Sequence, residues 1–253
     1  MRINTVRQKV RDGKPTIGTF MGLGSPNVAE LLAHAGFDWL VIETEHNALD
    51  VAQVEHMLMA MNGTETIPLV RVPSSDQVFI QRALDIGGMG IVVPMVKTAA
   101  EAQTIVRATR YPSQGTRSFG ALRASNYTHD YETYFNQAND NILVVLIVET
   151  REAVENLDAI AAVPGVDVLF FGMFDLCLAY GLNPFEMPFP EIDAIVERAI
   201  AISQQTDVAV GFGASTPEEQ QQRAKQGITF LSYGTDYNLL VEAAQNGIQA
   251  FKE

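Results

Sequence analysis

The chain has 253 residues, nearly half of them apolar, enough for one large domain with a core of its own. Its net charge of −13 excludes a surface for nucleic acid or anionic lipid, because phosphates would be repelled and no basic stripe offsets the field. No run of about 18 apolar residues is available to cross a membrane, and the single cysteine, Cys177, excludes an internal disulfide and suits a reducing cytoplasm.

The first stretch, MRINTVRQKVRDGK, is charged rather than apolar, so it reads as a short amphipathic helix with Val6 and Val10 on one side and not as an export signal. Eight short apolar runs follow, at 16–21, 39–43, 67–72, 90–96, 142–149, 166–172, 208–213 and 229–234. Each is apolar on both faces and bounded by Gly, Pro or polar residues, as parallel strands covered on both sides require. Helical spacing fills the intervals. Val28, Leu31, Leu32 and Ala35 form one such stripe, with Gly36 placed to end the helix. Asp50 with Gln53, and Thr98 with Glu101, have the spacing of capping boxes; Thr216, Pro217 and Glu219 add a proline at the first helical position. The interval 111–141 is too long for an ordinary link, and Tyr131, Tyr134 and Phe135 predict a short packed helix inside it.

Eight strands alternating with about eight helices predict a single (β/α)8 TIM barrel over residues 1–253. A doubly wound open sheet is the competitor. The strand count argues against it, as does the missing dinucleotide fingerprint: Gly22-Leu23-Gly24 lacks the third glycine, and no GxxxxGK[ST] occurs.

In such a barrel the active site lies at the C-terminal ends of the strands. The second run leads into Glu43, Glu45 and His46, the third ends at Arg71, the fifth at Glu149, and the sixth leads into Gly172-Met173-Phe174-Asp175. Glu149 and Asp175, on adjacent strands, suit a hard divalent ion in an oxygen-rich shell, Mg²⁺ or Mn²⁺, with Co²⁺ a further candidate. Arg71 is the natural anion partner in an acidic molecule, and His46 the general base. Together these groups suggest metal-assisted enolate chemistry. Plainer roles compete with each assignment. A strand-end carboxylate is often a cap or an ion-pair partner, and Arg71 alone could pair with Glu43 or Glu45. His34 and His56 fall inside helical patterns. Asp38 and Asp167 precede their strands, which puts them on the opposite face, and Cys177 packs as a small apolar residue. A structural zinc site has no cysteine cluster to use. A Schiff-base mechanism would need Lys97, the one lysine near a strand end, which directly precedes the N-cap Thr98.

At these residues the chain resembles the HpcH/HpaI family of class II, metal-dependent pyruvate aldolases. The resemblance covers nearly the whole chain and rests on "AELLAHAGFDWLVIETEH", "VRVP", "VVPMVKTAAEAQTIVRATRYPSQGTR", "VETREAVENL", "GVDVLFFGMFDL" and "YGTD". It implies that His46 is the acid/base residue, that Arg71 stabilises an enolate, and that Glu149 and Asp175 hold the ion. Backbone amides around Gly172, Phe174 and Asp175 would receive a pyruvate carboxylate. Asp85 would reach the histidine of a neighbouring subunit and raise its basicity. The implied assembly is a hexamer, a trimer of dimers that exchange the last helix, here residues 236–253 with Leu239, Leu240, Ala243 and Phe251 on its apolar side. The implied reaction is the reversible cleavage of a 4-hydroxy-2-oxo acid to pyruvate and an aldehyde, without a nucleotide or organic cofactor.

Departures from the family pattern fall near the site. Ile147 stands where a glutamine touches substrate, Met173 and Cys177 replace a proline and a serine of "GPxDLS", Glu43 replaces an aspartate, and "GxRG" has become Gly115-Thr116-Arg117-Ser118. They leave two other readings open. One is a different enolate-forming lyase or decarboxylase, with glycines 211–213 and 234 able to cradle a phosphate. The other is a relative that binds metal and pyruvate without turnover.

Overall fold

The structure is a computed structural model that describes residues 2–252. Its strands are β1 (Thr16–Met21), β2 (Trp39–Glu43), β3 (Ile67–Arg71), β4 (Gly90–Val93), β5 (Leu143–Val148), β6 (Val168–Phe171), β7 (Ala209–Ala214) and β8 (Phe230–Thr235). Every neighbouring pair is parallel, and β8 pairs with β1 to close an eight-stranded barrel. The helices are α1 (Thr5–Arg11), α2 (Pro26–His34), α3 (Val51–Ala60), α4 (Gln77–Asp85), α5 (Ala99–Thr109), α6 (Tyr131–Asn141), α7 (Arg151–Glu155), α8 (Leu157–Ala161), α9 (Met173–Ala179), α10 (Pro190–Ser203), α11 (Pro217–Lys225) and α12 (Asp236–Lys252). The TIM barrel expected from the strand count is therefore the observed fold.

All eight apolar runs are strands, the first two with the bounds read from the sequence. The fourth is shorter than its apolar run because Pro94 has no N–H for the ladder. Two apolar shells hold the barrel together. Inside, Trp39 stacks on Phe230 with centroids 4.0 Å apart, and Val6 and Val10 of α1 join the same cluster. A Cβ on Gly18 would lie 2.0 Å from the Trp39 ring, so that indole needs a glycine on the neighbouring strand. Outside, the second shell packs the outward residues of the strands against the helices.

Asp38 and Asp167 do sit on the stability face. Asp167 pairs with Arg7 at 2.9 Å and Arg11 at 3.2 Å, and Asp38 with Lys9 at 2.5 Å, so α1 is pinned across the bottom of the barrel. Both capping boxes are present, at Asp50/Gln53 and Thr98/Glu101. At α11 the third is rearranged: Thr216 accepts the Glu219 N–H, but Glu219 returns its carboxylate to Ser215 rather than to Thr216. Leu31 departs from its expected place. It is 66% exposed, since α2 rotates its Ala29, Leu32 and Ala33 side inward, a stripe the same spacing allows. The helix expected within 111–141 is α6, with Tyr134 buried and Tyr131 and Phe135 half-exposed among Tyr111 and Phe119. Beyond its first residues α12 leaves the barrel: only Asp236 is buried, and Phe251 is 91% exposed.

Candidate active site

The groups that end β2, β3, β5 and β6 meet at one mouth, in a cleft of about 1170 Å³ lined by Glu43, His46, Arg71, Glu149, Gly172, Phe174 and Asp175 among others. Register explains the first pair, since Glu43 stands opposite Arg71 where β2 and β3 run side by side. Arg71 Nη1 donates to Glu43 Oε2 at 3.0 Å, its Nη2 contacts Glu45, and Glu149 Oε2 lies 3.9 Å away. Glu43 then turns the chain after its strand, because its Oε1 accepts the N–H groups of Glu45 at 2.7 Å and His46 at 3.2 Å. That turn leaves the His46 side chain 65% exposed at the cleft, with Nε2 3.5 Å from Glu45. Pairing with Glu43 and Glu45 is the plainer role for Arg71, and the geometry combines it with a place in the cleft. The pairing holds the guanidinium still, and Arg71 Nε is buried without a hydrogen-bond partner among the described residues.

Glu149 is set by two neighbours. Its Oε1 accepts the Met95 N–H at 2.6 Å, and Met95 adopts a left-handed φ of 57° directly after Pro94. Its Oε2 lies only 2.6 Å from where a Cβ on residue 172 would stand, so Gly172 makes the room for the carboxylate. Burial pushes the Glu149 carboxyl above its ordinary pKa; the Met95 N–H and Arg71 pull it back, while Asp175 and Glu45 push it up. Burial likewise raises Glu45, against the pull of Arg71 and His46. Carboxylates that penalise one another's ionisation form a place suited to a cation. Two of them, Glu149 and Asp175, fit a hard divalent ion, which would complete its shell with water and ligand oxygens. Among the described residues no group of three or more His, Cys, Asp or Glu is gathered in metal-holding geometry.

Other residues singled out in the sequence take different places. The Gly172 N–H donates to Val148 O at 3.2 Å and so continues the sheet, while the first-turn amides of α9, those of Phe174 and Asp175 among them, have no helical acceptor of their own. Asp85 ends α4 outside this cleft and pairs with the buried Arg117 at 2.7 Å; the structure does not bring it to His46 within one chain. Lys97 does not line the cleft, nor does any other lysine among the described residues. Ile147 lines the wall, and Cys177 is buried in the outer shell. Two contributors escape a reading of side-chain chemistry: Met95, which acts through its backbone, and Asp236, buried at the start of α12, which accepts the N–H groups of Gly22 and Leu23 at 2.9 and 3.0 Å. Asp236 does fall within the "YGTD" stretch, the one signal that could have marked it.

A model of the HpcH/HpaI aldolase/citrate lyase family matches residues 16–243. The chain belongs to this family. It is 36% identical over 93% of its length to a 2-dehydro-3,6-dideoxy-6-sulfogluconate aldolase of Pseudomonas putida, covering 92% of that protein. To a 4-hydroxy-2-oxo-heptane-1,7-dioate aldolase of Shigella sonnei (strain Ss046) it is 38% identical over 96% of its length, again covering 92% of the relative. A crystal structure of a family member from Burkholderia cenocepacia J2315 superposes with a TM-score of 0.94 at 32% identity, over 99% of this chain and 100% of that one. With aldolases at this identity over nearly the whole chain, the HpcH/HpaI protein described here is a lyase of the aldolase type.

Proposed function

We propose that the enzyme reversibly cleaves a 4-hydroxy-2-oxo acid into pyruvate and an aldehyde through a pyruvate enolate. The observation that carries this reading is Arg71: a guanidinium fixed by Glu43 and Glu45, 3.9 Å from Glu149, with a buried Nε that has no hydrogen-bond partner among the described residues. A donor held in that way suits an oxygen that gains negative charge as a bond breaks, and it needs no reorganisation to act. Glu149 and Asp175 would hold Mg²⁺ or Mn²⁺, which when bound supplies positive charge to the keto and carboxylate oxygens of the 2-oxo acid. The amides of Phe174 and Asp175 would receive the carboxylate.

In cleavage, His46 takes the proton of the C4 hydroxyl, and the C3–C4 pair of electrons moves toward the C2 oxygen as the aldehyde departs. Arg71 stabilises the charge on that oxygen. The proton then returned to C3 yields pyruvate and restores the imidazole. Water is held back on the barrel side by the packed interior beneath Arg71, where Val41, Leu69 and Ile147 are buried. Asp85 of a neighbouring copy would complete the histidine's surroundings in a hexamer. The apolar side of α12, open to solvent at Leu240, Val241, Ile248 and Phe251, supports exchange of that helix between copies. Among the described residues no helix is long and apolar enough to cross a membrane.

A phosphate-bearing substrate finds less support. The cap of α11 is closed on itself: the Ser215 N–H is taken by the Glu219 carboxylate and the Glu219 N–H by Thr216, which leaves fewer donors there for a phosphate. A series of 4-hydroxy-2-oxo acids, assayed for pyruvate release with Mg²⁺ or Mn²⁺ and again after chelation, tests the proposal. Metal-dependent release supports it; a folded, metal-loaded protein that cleaves none of the series favours binding without turnover.

A further inference from the structure

Glu45 stays behind the cleft wall, although Glu43, His46 and Asn47 on either side of it line the cavity. Its side chain is 15% exposed, and Oε2 is buried without a hydrogen bond among the described residues. That oxygen faces a cation and the base at once: it contacts Arg71 Nη2 and lies 3.5 Å from His46 Nε2. The main chain keeps it there, because the Glu45 N–H donates to Glu43 Oε1 at 2.7 Å and the Thr44 N–H to Arg71 O at 3.1 Å. Glu43, Asp175 and Glu149 also act on it through their charge.

The other acids near the base are committed elsewhere. Glu43 gives Oε2 to Arg71 and Oε1 to two backbone N–H groups, and Asp85 pairs with Arg117 outside the cleft. Among the described residues Glu45 is the one carboxylate in ion-pair range of a His46 ring nitrogen. Its place matters when the C4 proton arrives. The imidazole then turns positive beside the Arg71 guanidinium and beside the divalent ion that Glu149 and Asp175 would hold. Like charges at that range disfavour the proton transfer, and a carboxylate set between two of them offsets the penalty. An acid beside a catalytic histidine does this without taking the proton itself.

We propose that Glu45 is a positioning residue for the cleavage: it holds the His46 ring at the cleft and supplies the countercharge to the imidazolium, with Arg71 on its other side. This deepens the aldolase reading and rests on it. In each turnover the C4 hydroxyl proton passes to His46, the C3–C4 electron pair moves toward the C2 oxygen, and the proton returns to C3. Glu45 gains no proton at any step. The test uses Glu45→Gln, which keeps the shape and removes the charge, on Mn²⁺-loaded protein with two readouts. Exchange of the pyruvate methyl protons in D₂O needs the base. Oxalate binding, followed by calorimetry, does not: this planar dianion is shaped like the pyruvate enolate and reads Arg71 and the metal site without proton transfer. Exchange at saturating pyruvate should fall about tenfold or more, while the oxalate Kd stays within about threefold of wild type. Unchanged exchange in Glu45→Gln would overturn the proposal. So would a parallel loss of oxalate affinity, which would make Glu45 a brace for Arg71 alone. Wild-type protein that shows no exchange would overturn the aldolase reading, and this inference with it.

Discussion

Gly172→Ala isolates the placement of Glu149 from its chemistry. Residue 172 has φ −80°, which alanine adopts freely, so any effect must come from the added methyl group. That methyl would stand 2.6 Å from Glu149 Oε2 and 3.0 Å from both Glu149 Cβ and Ile147 Cγ2. An ordinary contact needs about 3.5 Å, so the carboxylate must retreat by about 0.9 Å. It has little freedom to do so, because Oε1 is held by the Met95 N–H at 2.6 Å and the strand before it is paired on both sides. A displacement of that size at a reacting centre lowers turnover on the order of 100-fold, while the overpacking costs about 1–3 kcal/mol of stability. Pyruvate release at saturating Mn²⁺, a Mn²⁺ titration and a thermal melt together measure all three consequences. Gly213→Ala is the contrast, since its Cβ would meet nothing within 4 Å at the same mouth and should leave turnover close to wild type. A Gly172→Ala enzyme with wild-type kcat/KM and unchanged Mn²⁺ affinity would refute the claim that this glycine sets the carboxylate.

Three further expectations follow from the same geometry. Arg71→Ala should lower kcat by about 100-fold or more, because it removes the one fixed donor to the enolate oxygen, whereas a loss spread mainly into KM would point to a binding role alone. Burial raises the Glu149 pKa above its unfolded value, so this group's stabilising contribution is complete below the unfolded pKa and is lost as pH rises through the folded one. In chelator, Glu149→Gln should therefore melt above wild type at pH 8, with the gap closing near pH 4; each kcal/mol appears as roughly 2–4 °C at this chain length. A gap independent of pH would contradict the assignment. At the other end of the barrel, Asp167→Ala leaves Arg7 buried without its partner and should cost about 3–5 kcal/mol, read as a lower midpoint in urea with the m-value unchanged; a loss below 1 kcal/mol would mean that α1 is not held by this pair.

The barrel was legible because parallel strands covered on both faces leave continuous apolar runs, and eight such runs in 253 residues admit few other folds. Their ends were less so. Pro94 cut one strand short of its apolar run, and the α2 stripe tolerated a rotation that turned Leu31 outward, since period alone does not say which neighbour a helix will find. The mouth was legible for a similar reason: Glu43, Arg71, Glu149 and Asp175 are polar groups at the ends of apolar strands, and the fold carries such ends to one place. What could not be read is what depends on main-chain geometry or distant contact. Met95 contributes an N–H that any residue possesses, distinguished only by its left-handed φ. Gly172 matters for the space it leaves, and its own N–H belongs to the sheet. Asp236 closes a loop more than 200 positions away, a pairing with no local signature.

The central claim is that this mouth forms and stabilises a pyruvate enolate, and exchange of the pyruvate methyl protons for deuterium tests it without reference to any aldehyde. Wild-type protein with Mg²⁺ or Mn²⁺ should exchange them, lose the activity on chelation and regain it when the ion is restored, and both His46→Ala and Arg71→Ala should be deficient. A folded protein that binds the ion and pyruvate yet leaves the methyl signal unchanged would contradict the account.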